Sequence, residues 1–507
     1  MASSRRSAKN ADQPARQPVL EAVRATLAAL GLTEPGSSPE PASPVAIVAF
    51  SGGLDSSVLL HALAACVAPA RLHAVHVHHG LQAVARDWPA HCAEVARALG
   101  VGFTCRHLTT RPARGESLEA WARHARYAAL SDEARGLDCD VVFTAHHADD
   151  QAETVLLRLA RGAGMLGLGA MAMQQPMLGL RLIRPLLAVP RDDLLAYAQA
   201  ASLSWVEDPS NVHTDRARNQ IRAAVLPALQ AAVPGARENL VRAAELAREA
   251  QAVLAELAHA DLRVAQTLAA DRLAGEGGAL AALLSRADVA PVLHRAALRE
   301  LSPPRQRLAM RAWLAQCRLA PPSQSVLTEL SKQLIEAAGP YGEVLREDVV
   351  MRRYRDWIWV QRDRSRPMPP DTLTGLRWQG ETELRLPDAR LVFSASATGM
   401  PAGELRASTL SVRPLASSTR VRLRAGGPSR ILKHWHQQFG VPAHWRASLP
   451  GVFVGEQLVF VAGLGTHHWA RDERESAAAC APCVAVRWEP IDSSDFRGCL
   501  CAAQHPD

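Results

Sequence analysis

Between residues 45 and 160 apolar runs alternate with helical patterns, and this alternation restricts the fold more than any other feature of the chain. Residues 45–50 are an unbroken apolar run, and Val58, Leu59, Leu60, Leu63 and Ala64 then recur at helical spacing. Strands are predicted again at 72–77, 101–106 and 140–145, with helices from Cys92 to Leu99, over 118–135 and over about 149–159. Strands in alternation with helices predict an α/β fold, a doubly wound parallel sheet covered on both faces. Such sheets bind ligands at the carboxyl ends of their strands. Three polar clusters, 51–57, 76–80 and 146–153, fall at those ends and so converge on one edge.

The first cluster, Ser51-Gly52-Gly53-Leu54-Asp55-Ser56-Ser57, has the chemistry of a phosphate cradle. Glycines let backbone approach a phosphate, a helix start offers unpaired N–H groups, and serine hydroxyls add donors. It lacks the lysine of a Walker loop. The only lysines of the chain are Lys9, Lys332 and Lys433, so arginine must supply most positive charge. Asp55 is out of place in an anion cradle unless it holds magnesium or a ribose. The bland alternative is a tight turn capped by Asp55 or Ser56.

In the third cluster Asp149 and Glu153 stand four residues apart, on one helix face beside His147. Paired carboxylates there can bind an ammonium group, accept its proton or hold magnesium. The alternative is acid placed to favour a helix dipole. His79 and His147 have no zinc-spaced partners and read as phosphate or ribose donors, whereas His76 and His78 read as structural. Arg123, Arg126, Arg161, Arg191, Arg218 and Arg222 suit bidentate contact with phosphate. Arg161, next to Gly162, is the first choice for the catalytic group.

The glycine loop resembles the PP-loop of the N-type ATP pyrophosphatases. Val75-His76-Val77-His78-His79-Gly80-Leu81, the run from Ala145 to Gly164, Arg184-Pro185-Leu186-Leu187, Glu207-Asp208-Pro209-Ser210-Asn211 and Arg218-Asn219-Gln220-Ile221-Arg222 follow in the order of the tRNA(Ile)-lysidine synthases. Residues 433–450 are similar to that family's last domain. The resemblance covers roughly 45–465, loosely between about 243 and 405. It implies ATP as cofactor, with magnesium at Asp55, and L-lysine and an isoleucine tRNA with a CAU anticodon as partners. Ser51 to Ser57 and His79 would bind ATP; Asp55, His147, Asp149, Glu153 and Arg161 would be catalytic. Asp149 and Glu153 would receive the lysine. Arg123, Arg126, Arg191, Arg218, Arg222, Arg430, Lys433 and Arg446 would contact tRNA. The implied reaction adenylates the wobble cytidine at its carbon-2 oxygen and then joins lysine to that carbon, changing decoding from AUG to AUA. A PP-loop tRNA thiolase and a non-catalytic nucleotide-binding module are the alternatives.

Length sets the rest. A chain of 507 residues is expected to hold about three domains. They are assigned as a catalytic domain at 45–232, a helical tRNA-binding domain at 233–363 and an α+β tRNA-binding domain at 373–490. A linker at 364–372 and a tail at 491–507 complete the division. Residues 1–44 have no apolar signal core and read as a disordered extension with one short helix at about 19–30. No apolar run reaches membrane-spanning length. The net charge of +7 fits a polyanionic partner. Trp435 and Trp445 among C-terminal arginines read either as base-stacking groups or as core. Scattered cysteines point to a reducing, cytoplasmic setting. Zinc at Cys480, Cys483, Cys499 and Cys501 is disfavoured by their spacing. A homodimer is the candidate oligomer.

Overall fold

The computed structural model describes residues 13–32, 45–78, 87–108, 111–112, 118–207, 217–276, 284, 289–346, 349–362, 372–386, 389–396, 400–423, 426–467 and 483–490. His79, the stretch 208–216, and Cys480, Cys499 and Cys501 lie outside them. The chain divides into two compact units, 1–253 and 254–505.

The first unit opens with helix α1 (Gln13–Ala29), followed by β1 (Ala46–Ala49), α2 (Leu54–Cys66), β2 (Leu72–His78), α3 (Trp88–Leu99) and β3 (Gly102–His107). Then come α4 (Leu118–Gly136), β4 (Val141–Phe143), α5 (Ala148–Ala160), β5 (Gln174–Met177), β6 (Leu180–Ile183) and α6 (Arg191–Ala200). The strands lie in the order β3-β2-β1-β4-β6-β5. All neighbouring pairs are parallel except β5 with β6. The core strands are apolar on both faces because both faces are covered: Ile47, Val48, Val142 and Phe143 are fully buried. The sheet predicted from the alternation is present, with one addition. The glycine-rich stretch after α5 leads into the hairpin β5–β6, whose short strands give no clear period-2 signal.

The short helix expected at about 19–30 is present as α1, but it begins earlier, at Gln13, and it is part of the fold rather than of a disordered extension: it buries Val19, Val23 and Leu27 in the same core as β1. It packs against α2 and α6. The domain expected to be helical also contains strands. In the second unit β7 (Val289–His294), β8 (Tyr341–Arg346), β9 (Val349–Tyr354) and β10 (Trp357–Arg362) form an antiparallel sheet ordered β7-β10-β9-β8. Arg352 and Arg353 on β9 are buried, and that interrupts the apolar alternation that would have announced a strand. Beyond residue 372 two further sheets pack a core around Trp378, Leu391, Val412 and Val459. Among the described residues no helix is long and apolar enough to cross a membrane.

Candidate active site

The turn between β1 and α2 is braced from several sides. Phe50 N–H donates to the Val75 carbonyl at 2.9 Å, so β1 stays paired up to the loop. Gly52 adopts φ +84°, and a Cβ there would lie 2.8 Å from Cys92 Sγ, so both conformation and space demand glycine. Val206 N–H donates to the Gly52 carbonyl at 2.9 Å. Ser51 and Ser56 hydroxyls lie 3.0 Å apart, and Ser56 Oγ donates to the Gly53 carbonyl at 3.1 Å. Leu54 and Ser57 are buried, while Gly53 and Asp55 are half-buried and Ser51 is exposed. The loop thus holds its own shape and turns the amino end of α2 to the sheet edge, as an anion site requires.

The amino end of α5 faces the same edge. His147, 2% exposed, has Nε2 at 3.6 Å from Asp55 Oδ2 and 3.5 Å from Asp150 Oδ2, with Nδ1 3.6 Å from Asp149 Oδ2. Burial alone would depress its pKa, but the carboxylates of Asp149, Asp55 and Asp150 outweigh that and raise it to about 10. His147 is therefore a buried cation at neutral pH. His146 behaves oppositely: burial lowers it to about 3, despite Asp150.

Each acid of α5 has assigned partners. Asp149 Oδ2 accepts from the Arg191 backbone N–H at 2.9 Å, and Oδ1 from Arg237 at 3.3 Å. Burial works against ionised Asp149, yet His147, that N–H and Arg237 hold its pKa well below the usual range. Asp150 Oδ2 accepts from His147 N–H at 3.2 Å, and Oδ1 from Arg218 and Arg222 at 3.0 and 3.1 Å. Glu153 is fully buried; Arg218 Nε donates to Oε2 at 2.8 Å and Arg222 Nε to Oε1 at 2.5 Å. Asp55, Asp149, Asp150 and Glu153 thus face His147, Arg218, Arg222 and Arg237, four anions against four cations.

Asp55, His147, Asp149 and Glu153 come together as the spacing predicts, and Arg218 and Arg222 join them. Arg161 does not. It lies exposed just past the carboxyl end of α5, twelve positions from Asp149 and so about 18 Å along the axis. Arg123 and Arg126 are exposed on α4, with the Arg123 guanidinium 5.3 Å from the Tyr127 ring centre. Arg191 enters the cluster through its backbone, while its side chain is exposed. Arg237 went unrecognised in the sequence. A signal was present: Pro234-Gly235 marks a helix start, and an arginine in the first turn opposes the helix dipole unless an acid receives it.

In the second unit Arg430 and Lys433 are exposed, and Arg446 donates to the Val441 carbonyl at 3.0 Å. The tryptophans between them are core. Trp445 is fully buried and stacked on Trp359 at 5.2 Å, and Trp435 donates to the Val421 carbonyl at 2.8 Å. Of the two readings of Trp435 and Trp445, the core one fits.

Residues 32–229 match the model of a PP-loop domain, residues 293–359 that of a TilS substrate binding domain, and residues 410–488 that of a TilS substrate C-terminal domain. A tRNA(Ile)-lysidine synthase of Ralstonia nicotianae is 40% identical over 466 residues, 89% of this chain and 94% of that protein. One from Alkalilimnicola ehrlichii is 39% identical over 423 residues, 83% of this chain and 89% of its own length. One from Pseudomonas aeruginosa is 39% identical over 427 residues, 82% and 89%. Among solved structures, a U34-tRNA thiolase from Methanococcus maripaludis overlaps 46% of this chain and 80% of its own at TM-score 0.40 and 19% identity.

Proposed function

The chain belongs to the tRNA(Ile)-lysidine synthase family, and from that premise we propose that it joins the ε-amine of lysine to carbon 2 of the wobble cytidine in an isoleucine tRNA with a CAU anticodon, using ATP. One observation carries the assignment of residues: Asp55 of the glycine loop and Asp149 of α5 both lie 3.6 Å from the same buried histidine. A phosphate site and an amine site therefore share one edge of one sheet.

The cytidine carbon-2 oxygen attacks the α-phosphate of ATP, forming an adenylated base and releasing pyrophosphate. The N–H groups at the start of α2 receive the phosphates. The cationic His147 offsets charge that builds on them, and its fixed place means no reorganisation at the moment of reaction. The lysine ε-ammonium gives up a proton to solvent, its nitrogen bonds to carbon 2, and the bond from carbon 2 to the phosphorylated oxygen breaks, so that AMP leaves with that bonding pair. Asp149 receives the ammonium form and orients it. Its side chain is 17% exposed, whereas Glu153 is 0% exposed with both oxygens engaged by arginines. Glu153 thus serves the amine indirectly, as the anchor of Arg218 and Arg222. Arg123, Arg126, Arg191, Arg430, Lys433 and Arg446 are assigned to tRNA phosphates.

Asp55 Oδ1 is buried without a hydrogen-bond partner, which fits a carboxylate reserved for magnesium. Among the described residues no group of three or more His, Cys, Asp and Glu side chains is arranged to hold a metal ion, so phosphates and water would supply the remaining ligands, as magnesium commonly prefers. Magnesium bound there would neutralise phosphate charge.

A thiolase reading is disfavoured by the cysteines. Burial pushes the Cys92 thiol up to about 12 and raises those of Cys66, Cys105 and Cys139, the reverse of what a reactive thiolate needs. The deciding experiment incubates the chain with ATP, labelled lysine and isoleucine tRNA and weighs the anticodon base. A mass gain matching lysine less water, with AMP formed, supports the proposal. Sulfur transfer, or ATP binding without AMP formation, would overturn it.

A further inference from the structure

The balance of charge at this edge raises a question about how a cationic substrate enters. Lysine brings a further ammonium to a cluster whose acids already carry arginines: Asp149 meets Arg237, and Asp150 and Glu153 meet Arg218 and Arg222. Both oxygens of Asp149 are engaged, as are those of Asp150 and Glu153. Asp55 keeps one unpartnered oxygen but belongs to the phosphate loop. An ammonium that pairs with one of these acids therefore competes with the cation already seated there.

The resident cations differ in what leaving would cost. His147 is 2% exposed and wedged among three carboxylates. Arg218 and Arg222 hydrogen-bond to Asp150 and Glu153, and Glu153 is 0% exposed. Their departure would strand a buried carboxylate, which is strongly unfavourable. Arg237 is placed otherwise. Its guanidinium meets three acids: Nη1 lies 3.3 Å from Asp149 and 3.4 Å from Asp192, and Nη2 lies 3.1 Å from Glu238. Asp192 and Glu238 are 86% and 54% exposed. If Nη1 leaves Asp149, the exposed carboxylates of Asp192 and Glu238 remain beside the guanidinium to hold it, and an arriving ammonium takes its place on Asp149.

We propose that Arg237 is the resident cation that substrate lysine replaces on Asp149, and hence a specificity-determining residue of the amine site. The inference rests on the lysine-joining reading above and names the contact through which lysine enters. Before binding, Arg237 satisfies Asp149. A side chain without a cation offers Asp149 nothing in exchange and leaves Arg237 seated. A long aliphatic ammonium completes the swap, with Asp192 and Glu238 as the outer seat of the displaced guanidinium. No bond is made or broken in this step; one ion pair is exchanged for another.

The test is steady-state incorporation of labelled lysine into isoleucine tRNA by the full chain and two variants. Arg237→Gln removes the competitor and should lower the lysine KM about three- to tenfold, the scale of one partly exposed charged contact, while the ATP KM moves less than about twofold. The pair Asp192→Asn with Glu238→Gln removes the outer seat and should raise the lysine KM by a similar factor. Both of its positions are exposed, so it reports even if Arg237→Gln does not fold. A lysine KM raised or unmoved by Arg237→Gln would make the arginine a brace for Asp149 and overturn the proposal, as would an unmoved KM in the outer pair. If the unaltered chain incorporates lysine and the variants behave that way, only this inference fails. If it incorporates none, the lysine-joining reading falls with it.

Discussion

At the edge of the first sheet, Arg218 and Arg222 close on a carboxylate that water does not reach, whereas in the second unit Arg413 meets Glu456, 89% exposed, at 3.0 Å. Bond lengths and residue types are alike in the two regions. Burial separates them. An exposed pair exchanges one set of hydration contacts for another and adds little. A pair with one member fully buried contributes modestly when intact and is costly when half of it is removed. The first region can therefore be disrupted by a single atom, while the second tolerates substitution.

The sharpest break is Asp55→Ala, which removes a carboxylate from His147 and from the phosphate loop together. ATP turnover should fall by at least about a thousandfold, read as tRNA-dependent pyrophosphate exchange. Wild-type exchange would remove Asp55 from the site. Next comes the double variant Arg218→Ala with Arg222→Ala, which strands Glu153. Denaturant unfolding should show a loss of about 3–5 kcal/mol, and adding Glu153→Gln should recover much of it. Absence of recovery would mean that the arginines act elsewhere.

A third test uses pH. His147 is raised from its ordinary 6.5 to about 10, so its stabilising contribution is complete below 6.5 and is lost as pH climbs through about 10. The stability gap between the natural chain and His147→Gln should narrow steadily over that window. A gap independent of pH would show that the ring is neutral. The smallest effect is expected from the second region. Arg430→Ala should weaken tRNA binding only about two- to fivefold and reduce the salt dependence by about one phosphate contact. A hundredfold loss would show that this surface, too, depends on single charges.

The same contrast explains what could be read from the sequence. The loop at Gly52 and the acids at Asp149 and Glu153 were legible because short-range rules govern them. A strand end, a glycine with φ +84° and an i,i+4 pair all lie within a few residues. The Glu153 partners, 65 and 69 residues away, were visible only as arginines with a general liking for phosphate. Arg161 illustrates the converse error. It adjoins a glycine, but its distance from the acids is set by a helix whose length was already in the pattern. Trp435 and Trp445 sat among arginines, and nothing local says that Trp359 is waiting to stack on one of them. Buried Arg352 and Arg353 hid a strand for a similar reason, since burial is a property of the whole unit.

Helix α1 precedes the stretch 32–229 that matches the PP-loop domain, yet Val19, Val23 and Leu27 are sealed in its core and Arg16 reaches the Ala200 carbonyl. Three buried aliphatic side chains are worth roughly 1.5–3 kcal/mol each, a large share of the roughly 5–15 kcal/mol by which domains of this kind resist unfolding. Anyone trimming the gene to the matched boundary would bare a greasy groove along α2 and α6. The product should collect in inclusion bodies, and a start codon placed upstream of Gln13 should bring it back into the supernatant.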